Sequence, residues 1–591
     1  MSQTGWDEKP AVVIAVEIEV QPPSERWLEG AWSGCPLHGV AIESPSPSSR
    51  PPDSPLAHQT SASSRRWLHL VKGPRGETRH TGGVEETADG RSIAFSRREL
   101  IRGAGVLLGA GVVGAGVSSC SSTSGSTASS KWQELAAQLT GTLLRPGDPG
   151  YGRMAPPYNR RYVDVEPQAI AECTTETDIQ RCVSWARHHG VPFVVRSGGH
   201  SYAGYSATGG LLISVASMRS IALDPATKRV TLGAGVQNRH LFASLPRYDV
   251  GVPNGRCPTV GMGGFVLGGG FGFNSRKYGL ASDNLVQTRV VTSDGRLLVC
   301  DANQHSDLFW ACRGGGGGNF GINVDYVLQS QPVGELSLYK VRWKWSDAPA
   351  VMAAAQVLQA SAPDALSARV GLDVASTTPP AEDPSGLSVS ALGQFFGPVD
   401  QLETLLAPLL AAAPTTEKVI RSMDYTEALA FFAQNVPVGR FTEKSVYIGP
   451  DGFDASFVET GMTWIEKWPG SANVTAVGLT LFAWGGAMGR PAPDATAFVH
   501  RDASWLSVVG TSWGPDDPQE LIEENLQWVG QFFDALGPYV TDQSYQNFAD
   551  PALDNWQTAY YGTNLPRLVD VKRTYDPENV FTFPQGIPLH I

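Results

Sequence analysis

The sequence predicts an α+β protein, and three observations carry the prediction. Helical and strand-like stretches alternate between about residues 167 and 326, strict in-out alternation of side chains sets in beyond Tyr326, and the 65 glycines gather in clusters. Clustered glycine means that backbone passes close to something there or adopts positive φ. At 591 residues, 42% hydrophobic and 17% charged, the chain can fill the cores of two or three domains. A formal net charge of -12 without a Lys/Arg-rich face removes the electrostatic drive for phosphate-backbone binding, so no nucleic acid is expected as a partner. The seven cysteines lack the paired spacing of a zinc site, so no metal is expected; Cys173, Cys182, Cys300 and Cys312 read as small buried residues.

Residues 1–95 are rich in Pro, Ser and Arg, show no sustained period, and read as disordered or as a mis-started extension. Residues 96–130 read as a leader and linker. Ser96-Arg97-Arg98-Glu99-Leu100-Ile101-Arg102 precedes an apolar stretch, Gly103 to Val117, too short and glycine-rich for a permanent membrane span, the pattern of a twin-arginine export signal. Val117-Ser118-Ser119-Cys120 resembles a lipobox, making Cys120 a candidate lipid anchor, with simple cleavage nearby as the alternative; the Ser-rich run to Ser130 would be a tether. The expected location is extracellular or in the cell envelope. The route carries folded proteins and suits enzymes that load a cofactor before export.

Residues 131–335 hold the glycine clusters. The spacing predicts a helix from Thr175 to Gly190: Thr175 caps it with Asp178 three residues on, Ile179, Cys182, Val183 and Ala186 share an apolar face, and Gly190 closes it. A short strand, Pro192 to Val195, runs into Arg196-Ser197-Gly198-Gly199-His200-Ser201-Tyr202. Two glycines there let successive backbone N–H groups converge on an anion such as a pyrophosphate, with Arg196 adding charge; a plain tight turn explains them equally. The second cluster is denser: Gly261, Gly263, Gly264, Gly268, Gly269, Gly270 and Gly272 follow directly on Cys257-Pro258-Thr259-Val260. Pro258 biases Cys257 towards extended backbone and so fixes the direction of its thiol. A third cluster runs from Arg313 through Gly314 to Asn319-Phe320-Gly321. Three such passages point to a large flat or extended ligand lying against backbone. A nicotinamide-binding loop does not fit, because Gly261-Met262-Gly263-Gly264-Phe265-Val266 lacks the last small residue of G-x-G-x-x-G and follows Cys-Pro instead of a clean strand.

Residues 336–540 change texture. Tyr339, Val341, Trp343 and Trp345 alternate with polar residues, as do Leu387, Val389 and Ala391; strands are also expected over 477–484 and 505–509, and helices over 399–410 and 520–533. An antiparallel sheet covered by helices on one side fits this pattern. Residues 541–591 return to the first part of the chain.

Five pieces in order now carry a resemblance: Arg196-Ser-Gly-Gly-His200-Ser-Tyr202; Cys257-Pro-Thr-Val260-Gly261 with its glycine run; Arg276-Lys-Tyr-Gly-Leu280; Arg313 through Asn319-Phe-Gly321; and Tyr561-Gly-Thr-Asn564 through Asp576-Pro-Glu-Asn579-Val-Phe581. They resemble the berberine bridge enzyme-like branch of the vanillyl-alcohol oxidase / p-cresol methylhydroxylase family of FAD-linked oxidases. The resemblance implies a two-part FAD-binding domain, a substrate domain that roofs it, and a flavin bonded by His200 to its 8α-methyl and by Cys257 to C6. The implied cofactor contacts are Arg196, Ser197, Gly198, Gly199, Ser201, Tyr202, Val260, Gly261, Gly263, Gly264, Gly268, Asn319 and Gly321, with Asn579 as a flavin-ring or structural contact. Ser544-Tyr545-Gln546-Asn547 matches the family segment whose Tyr takes the substrate hydroxyl proton before hydride passes to flavin N5. Tyr545 would need its pKa lowered by about three units for that, with Lys572 and Arg567 as candidate helpers. Val260, three residues after the Cys, is the smaller choice that admits oxygen, so O2 is the expected acceptor.

Two departures bear on the substrate. Positions that hold His and Tyr in many relatives are Phe265 and Phe271 here, which makes a sugar less expected, and the strand Leu479-Thr480-Leu481-Phe482-Ala483-Trp484 offers only Thr480 as a polar partner. The expectation is therefore a small-molecule substrate with a CH–OH or CH–NH group in an aromatic, apolar pocket, in a monomer or homodimer. Alternatives are an oxidative cyclase or desaturase, a dehydrogenase, or a non-catalytic flavin-binding protein. Gly510-Thr511-Ser512-Trp513-Gly514 fits G-x-S-x-G, but the only downstream His is His590, so a serine hydrolase is not expected.

Overall fold

The computed structural model describes residues 124–433 and 439–591. The extension over 1–95, the twin-arginine segment with Arg97 and Arg98, and Cys120 lie outside the described residues. Helix α1 (Ser124–Gln138) takes in the end of the Ser-rich run that the sequence suggested as a tether. Trp132 and Leu135 are buried, with the Trp132 ring 4.7 Å from that of Trp185, and this anchor supports helix back into the serines.

A four-stranded sheet opens the fold: β1 (Thr142–Leu144), β2 (Ala169–Glu172), β3 (Phe193–Arg196) and β4 (Leu211–Ser214) in the order β1-β2-β4-β3. β2 and β3 run parallel to β4, and β1 is antiparallel at the edge. Between β2 and β3 lies α2 (Glu176–His189), which forms as its sequence dictates. Asp178 N–H donates to Thr175 Oγ1 at 3.2 Å, Thr175 N–H returns to Asp178 Oδ2 at 3.2 Å, and Gly190 ends the helix at φ 59°. Its buried face includes Ile179, Cys182, Val183 and Ala186.

A five-stranded antiparallel sheet follows: β5 (Ile221–Asp224), β6 (Arg229–Gly233), β8 (Leu285–Val291), β9 (Leu297–Asp301) and β10 (Ile322–Gln329), ordered β5-β6-β10-β8-β9. A two-residue ribbon joins β7 (Val250–Gly251) to β11 (Gln331–Pro332). The second and third glycine clusters fall in the connections of this sheet, with α3 (Met262–Leu267) starting at Gly261.

The third sheet is antiparallel and seven-stranded: β12 (Ser337–Lys344), β13 (Leu366–Val374), β14 (Leu387–Phe395), β15 (Thr415–Ser422), β16 (Arg440–Ile448), β17 (Gly478–Ala483) and β18 (Trp505–Trp513), in the order β15-β12-β14-β13-β17-β18-β16. Successive residues of a strand point to opposite faces. Tyr339, Val341 and Trp343 of β12 and Leu479 and Leu481 of β17 pack with α4 (Ala348–Ser361), α5 (Val399–Leu410), α6 (Ala455–Ile465) and α7 (Gln519–Leu536) through Met352, Leu406, Phe457 and Phe532. Phe482, Leu506 and Val508 belong to a separate cluster with Tyr447, Trp484, Phe498 and Tyr545, and Phe271 packs against it. One face of the sheet thus carries the helices, and the other offers aromatic rings to the glycine-rich loops.

Candidate active site

Between those loops and the aromatic face lies a cavity with about 2170 Å³ of non-protein space, its open mouth included. Its floor depends on glycine. A Cβ on Gly198 would press on Gly261 N and stand 2.6 Å from Thr259 O, and one on Gly261 would press on Ser197 Oγ. The loop after β3 and the turn before α3 can cross only without side chains at these two positions. Ser197 Oγ fixes the crossing by donating to Ala234 O at 2.6 Å.

The crossing brings His200 and Cys257 to one side of the cavity. His200 Nε2 lies 2.8 Å from Thr259 Oγ1, which lies 3.8 Å from Cys257 Sγ. Tyr158 stacks on the imidazole, centroids 3.7 Å apart and planes 24° apart, and its hydroxyl is 3.9 Å from the same sulfur. Burial holds the His200 pKa at about 3, so the ring is neutral near pH 7. Burial first, then the neighbouring Cys257, pushes the Tyr158 phenol well up.

Tyr545 stands against the same cavity and is almost fully buried. Its Oη accepts the Gly270 N–H at 3.0 Å and the Asn547 amide at 3.1 Å. Burial pushes the phenol up to about 12, and these donors offset the shift only in part. Phe271 sets its edge to Tyr545, Phe482 and Phe548 at 5.4, 5.3 and 5.8 Å. Tyr202 stacks on Phe548 at 4.8 Å. The Arg256 guanidinium stands 5.1 Å from the Phe482 ring centroid. Behind Tyr202, Glu443 of β16 is buried and pushed up to about 7 by desolvation, against the pull of Arg256 and a hydrogen bond from Tyr202.

Of the residues expected from sequence, Ser197, Gly198, Gly199, His200, Ser201, Tyr202, Cys257, Val260, Gly261, Gly263, Gly264, Asn319, Gly321 and Tyr545 line this cavity. Arg196, Gly268 and Asn579 do not. Arg196 donates to the carbonyls of Met154, Ala155 and Ser206 at 2.7–2.8 Å, so it braces the loop from outside the cavity lining. Gly268 makes room for the Asn547 amide, on which its Cβ would press. Asn579 is exposed at φ 53° in the turn after Asp576, where its N–H donates to Asp576 O. The proposed helpers of Tyr545 are also elsewhere: Lys572 is paired with Asp576, and Arg567 lies 3.9 Å from the Trp310 ring centroid. Tyr158, Thr259, Asn547 and Glu443 were not expected at the site from the sequence; Thr259 and Asn547 lie inside the Cys257-Pro-Thr-Val260 and Ser544-Tyr-Gln-Asn547 motifs, whereas Tyr158 and Glu443 carry no signal of their own.

Among the described residues Tyr205 Oη, Ser206 Oγ, Gln546 Oε1 and Gln585 Oε1 are buried polar atoms without a protein partner, and all four residues line the cavity. Each such atom costs about 1–3 kcal/mol if nothing meets it. A Cβ at Gly264 would meet no atom within 4 Å, so backbone there faces open space. A flat apolar ring with a polar tail that carries both donors and acceptors suits such a lining.

Comparison with known proteins agrees. The family profile described as "FAD binding domain" matches residues 167–301, and the one described as "Berberine and berberine like" matches 544–588. The FAD-linked oxidoreductase YvdP of Bacillus subtilis is 34% identical over 456 residues, covering 77% of this chain and 99% of its own. Chitooligosaccharide oxidase of Gibberella zeae is 30% identical over 459 residues, covering 73% and 89%. The solved structure of Physcomitrella patens BBE-like 1 superposes with a TM-score of 0.70 at 27% identity, covering 78% of this chain and 99% of its own. By both profiles, by these relatives and by this fold, the chain belongs to the berberine bridge enzyme-like family of FAD-linked oxidoreductases.

Proposed function

We propose that the protein holds FAD covalently through His200 and Cys257 and oxidises a CH–OH group of a small organic molecule, with O2 as acceptor. The observation that supports this most is the meeting of a neutral imidazole, a thiol and a buried phenol around one glycine-floored cavity. When Nε2 of His200 carries its proton towards Thr259 Oγ1, Nδ1 keeps the lone pair needed to bond carbon. FAD, once bound, supplies a two-electron acceptor for hydride.

The chain's own part is to hold the substrate and manage one proton. The Gly270 N–H and the Asn547 amide both donate to Oη of Tyr545, so its hydroxyl proton is directed away from them. With its pKa up at about 12, Tyr545 enters neutral solution protonated and orients the substrate oxygen. As the pH rises it gives that proton to solvent, and the phenolate, a state that the Gly270 and Asn547 donors favour, then accepts the substrate proton at Oη. Phe271, Phe482 and Phe548 exclude water and favour an aromatic or otherwise apolar body for the alcohol. Val260 on the cavity wall is small and supports access of oxygen. The relative named chitooligosaccharide oxidase favours a sugar hydroxyl as the second reading. The Arg97-Arg98 segment supports export by the twin-arginine route, with Cys120 as anchor.

The test is to precipitate the purified yellow protein with acid, then reduce the native protein anaerobically with a panel of aromatic alcohols and sugars and admit air. Retained colour, bleaching by an alcohol and formation of peroxide are expected. Complete release of flavin into acid would refute the covalent bond, and reduction without reaction on admitting air would refute O2 as acceptor.

A further inference from the structure

Thr259 touches both residues proposed to bond the flavin, and no other side chain except Tyr158 is seen to do so among the described contacts. Its hydroxyl has one proton to give and lone pairs to receive. Two arrangements exist. If Thr259 donates to His200 Nε2, the neutral ring carries its proton on Nδ1, has no lone pair there, and the sulfur loses a donor. If Nε2–H donates to Thr259 Oγ1, Nδ1 holds a lone pair and the Thr259 proton is released towards Cys257 Sγ, 3.8 Å away. Only the second arrangement readies both nucleophiles, and it readies them together.

We infer that the Thr259 hydroxyl is the shared positioning group for the two flavin bonds, receiving the Nε2 proton of His200 and directing its own to the sulfur of Cys257. The inference rests on the covalent reading above. Tyr158 completes the arrangement. Its ring, 3.7 Å from the imidazole, fixes the plane of His200, and its hydroxyl, 3.9 Å from Sγ, receives the thiol proton before ionisation and donates to the sulfur anion after it. Tyr158 cannot serve as the base that removes that proton, because burial and the neighbouring sulfur hold its phenol protonated. In the bond-forming steps His200 and Cys257 each lose one proton and gain one bond to carbon, and that carbon loses a hydrogen. Bound FAD would take up the two electrons set free per bond, and dioxygen would reoxidise it to give hydrogen peroxide.

The test compares wild type, Thr259→Val, Thr259→Ser and Tyr158→Phe, all purified as FAD-loaded full chains at a fixed time after induction. Peptide mass spectrometry counts the His200–flavin and Cys257–flavin bonds separately, and total FAD with thermal unfolding checks that each variant is folded. Val keeps the shape of Thr without the hydroxyl, so both bonds should fall about tenfold, the weight of one hydrogen bond, and Ser should restore them. Tyr158→Phe keeps the stacked ring, so it should lower the Cys257 bond and spare the His200 bond. Wild type with neither bond would overturn the covalent reading and this inference with it. Wild type with both bonds and Thr259→Val with the same share of each would overturn the inference alone. Should Thr259→Val not fold, Tyr158→Phe decides: loss confined to the Cys257 bond supports the arrangement, and equal change in both bonds overturns it.

Discussion

Removing the cation of Lys572 should do more damage than any other single change in the C-terminal segment. In α8 (Leu565–Tyr575), Lys572 and Asp576 just beyond it have side chains 0% exposed. Lys572 Nζ donates to Asp576 Oδ2 at 2.7 Å, to Asn319 O at 2.8 Å and to Phe581 O at 2.6 Å. Asp576 in turn accepts the N–H groups of Val580 and Phe581 at 2.8 and 2.9 Å. Lys572→Met keeps the apolar stem, deletes three charge-assisted hydrogen bonds and strands a carboxylate in the interior, an expected loss of about 3–5 kcal/mol. Adding Asp576→Asn removes the stranded charge and keeps an amide oxygen for one of the two N–H groups, which donate to different oxygens of Asp576, so part of the loss should return. Because Asn319 lines the cavity, the single variant should also bind FAD poorly. Urea unfolding followed by tryptophan and flavin signals, with the FAD content of each preparation, gives both quantities. A loss below about 1 kcal/mol in Lys572→Met, or a double variant no better than the single one, would refute the reasoning.

Other expectations follow from single features of the site. Tyr545→Phe should lower kcat/KM by about 10²–10⁴ with FAD content unchanged. In the wild type, log kcat/KM should climb from pH 7 towards pH 10 without a plateau, because the proton to be lost sits on a phenol raised to about 12; a plateau already reached near neutrality would assign the base elsewhere. Gly198→Ala should abolish flavin binding, since its Cβ would meet backbone at Gly261 and Thr259 that no rotamer change relieves, and normal absorbance of that variant would contradict the crossing. Ser512→Ala should leave oxidase turnover unaltered, because the hydroxyl is buried in β18 and donates to Asn473 O at 2.8 Å.

What could be read from the chain was what local physics decides. Thr175, Asp178 and Gly190 bound α2 through contacts within the helix itself, and alternation in 339–345 and 477–484 sorts residues between the two faces of one sheet. The glycine clusters announced a close approach, and Gly198 against Gly261 is that approach. What the sequence could not show was which distant group each charge or hydroxyl would meet. Arg196 beside two glycines looked like a phosphate contact, yet three carbonyls claim it. Lys572 and Arg567 looked available to Tyr545, yet burial could tolerate the one only next to Asp576, and Trp310 stacks under the other. Tyr158 lies far along the chain from His200, and only the folded loops bring the two rings together.

The last stretch of the chain has an effect on timing. Tyr561, Phe583 and Gln585 wall the cavity, and Ile587 N–H donates to Asn319 Oδ1 at 2.8 Å. The chamber therefore cannot be finished until the segment through residue 587 has been made and has folded back, so flavin capture must wait for it. A prematurely terminated product would be a colourless one, whatever share of its three sheets had already formed.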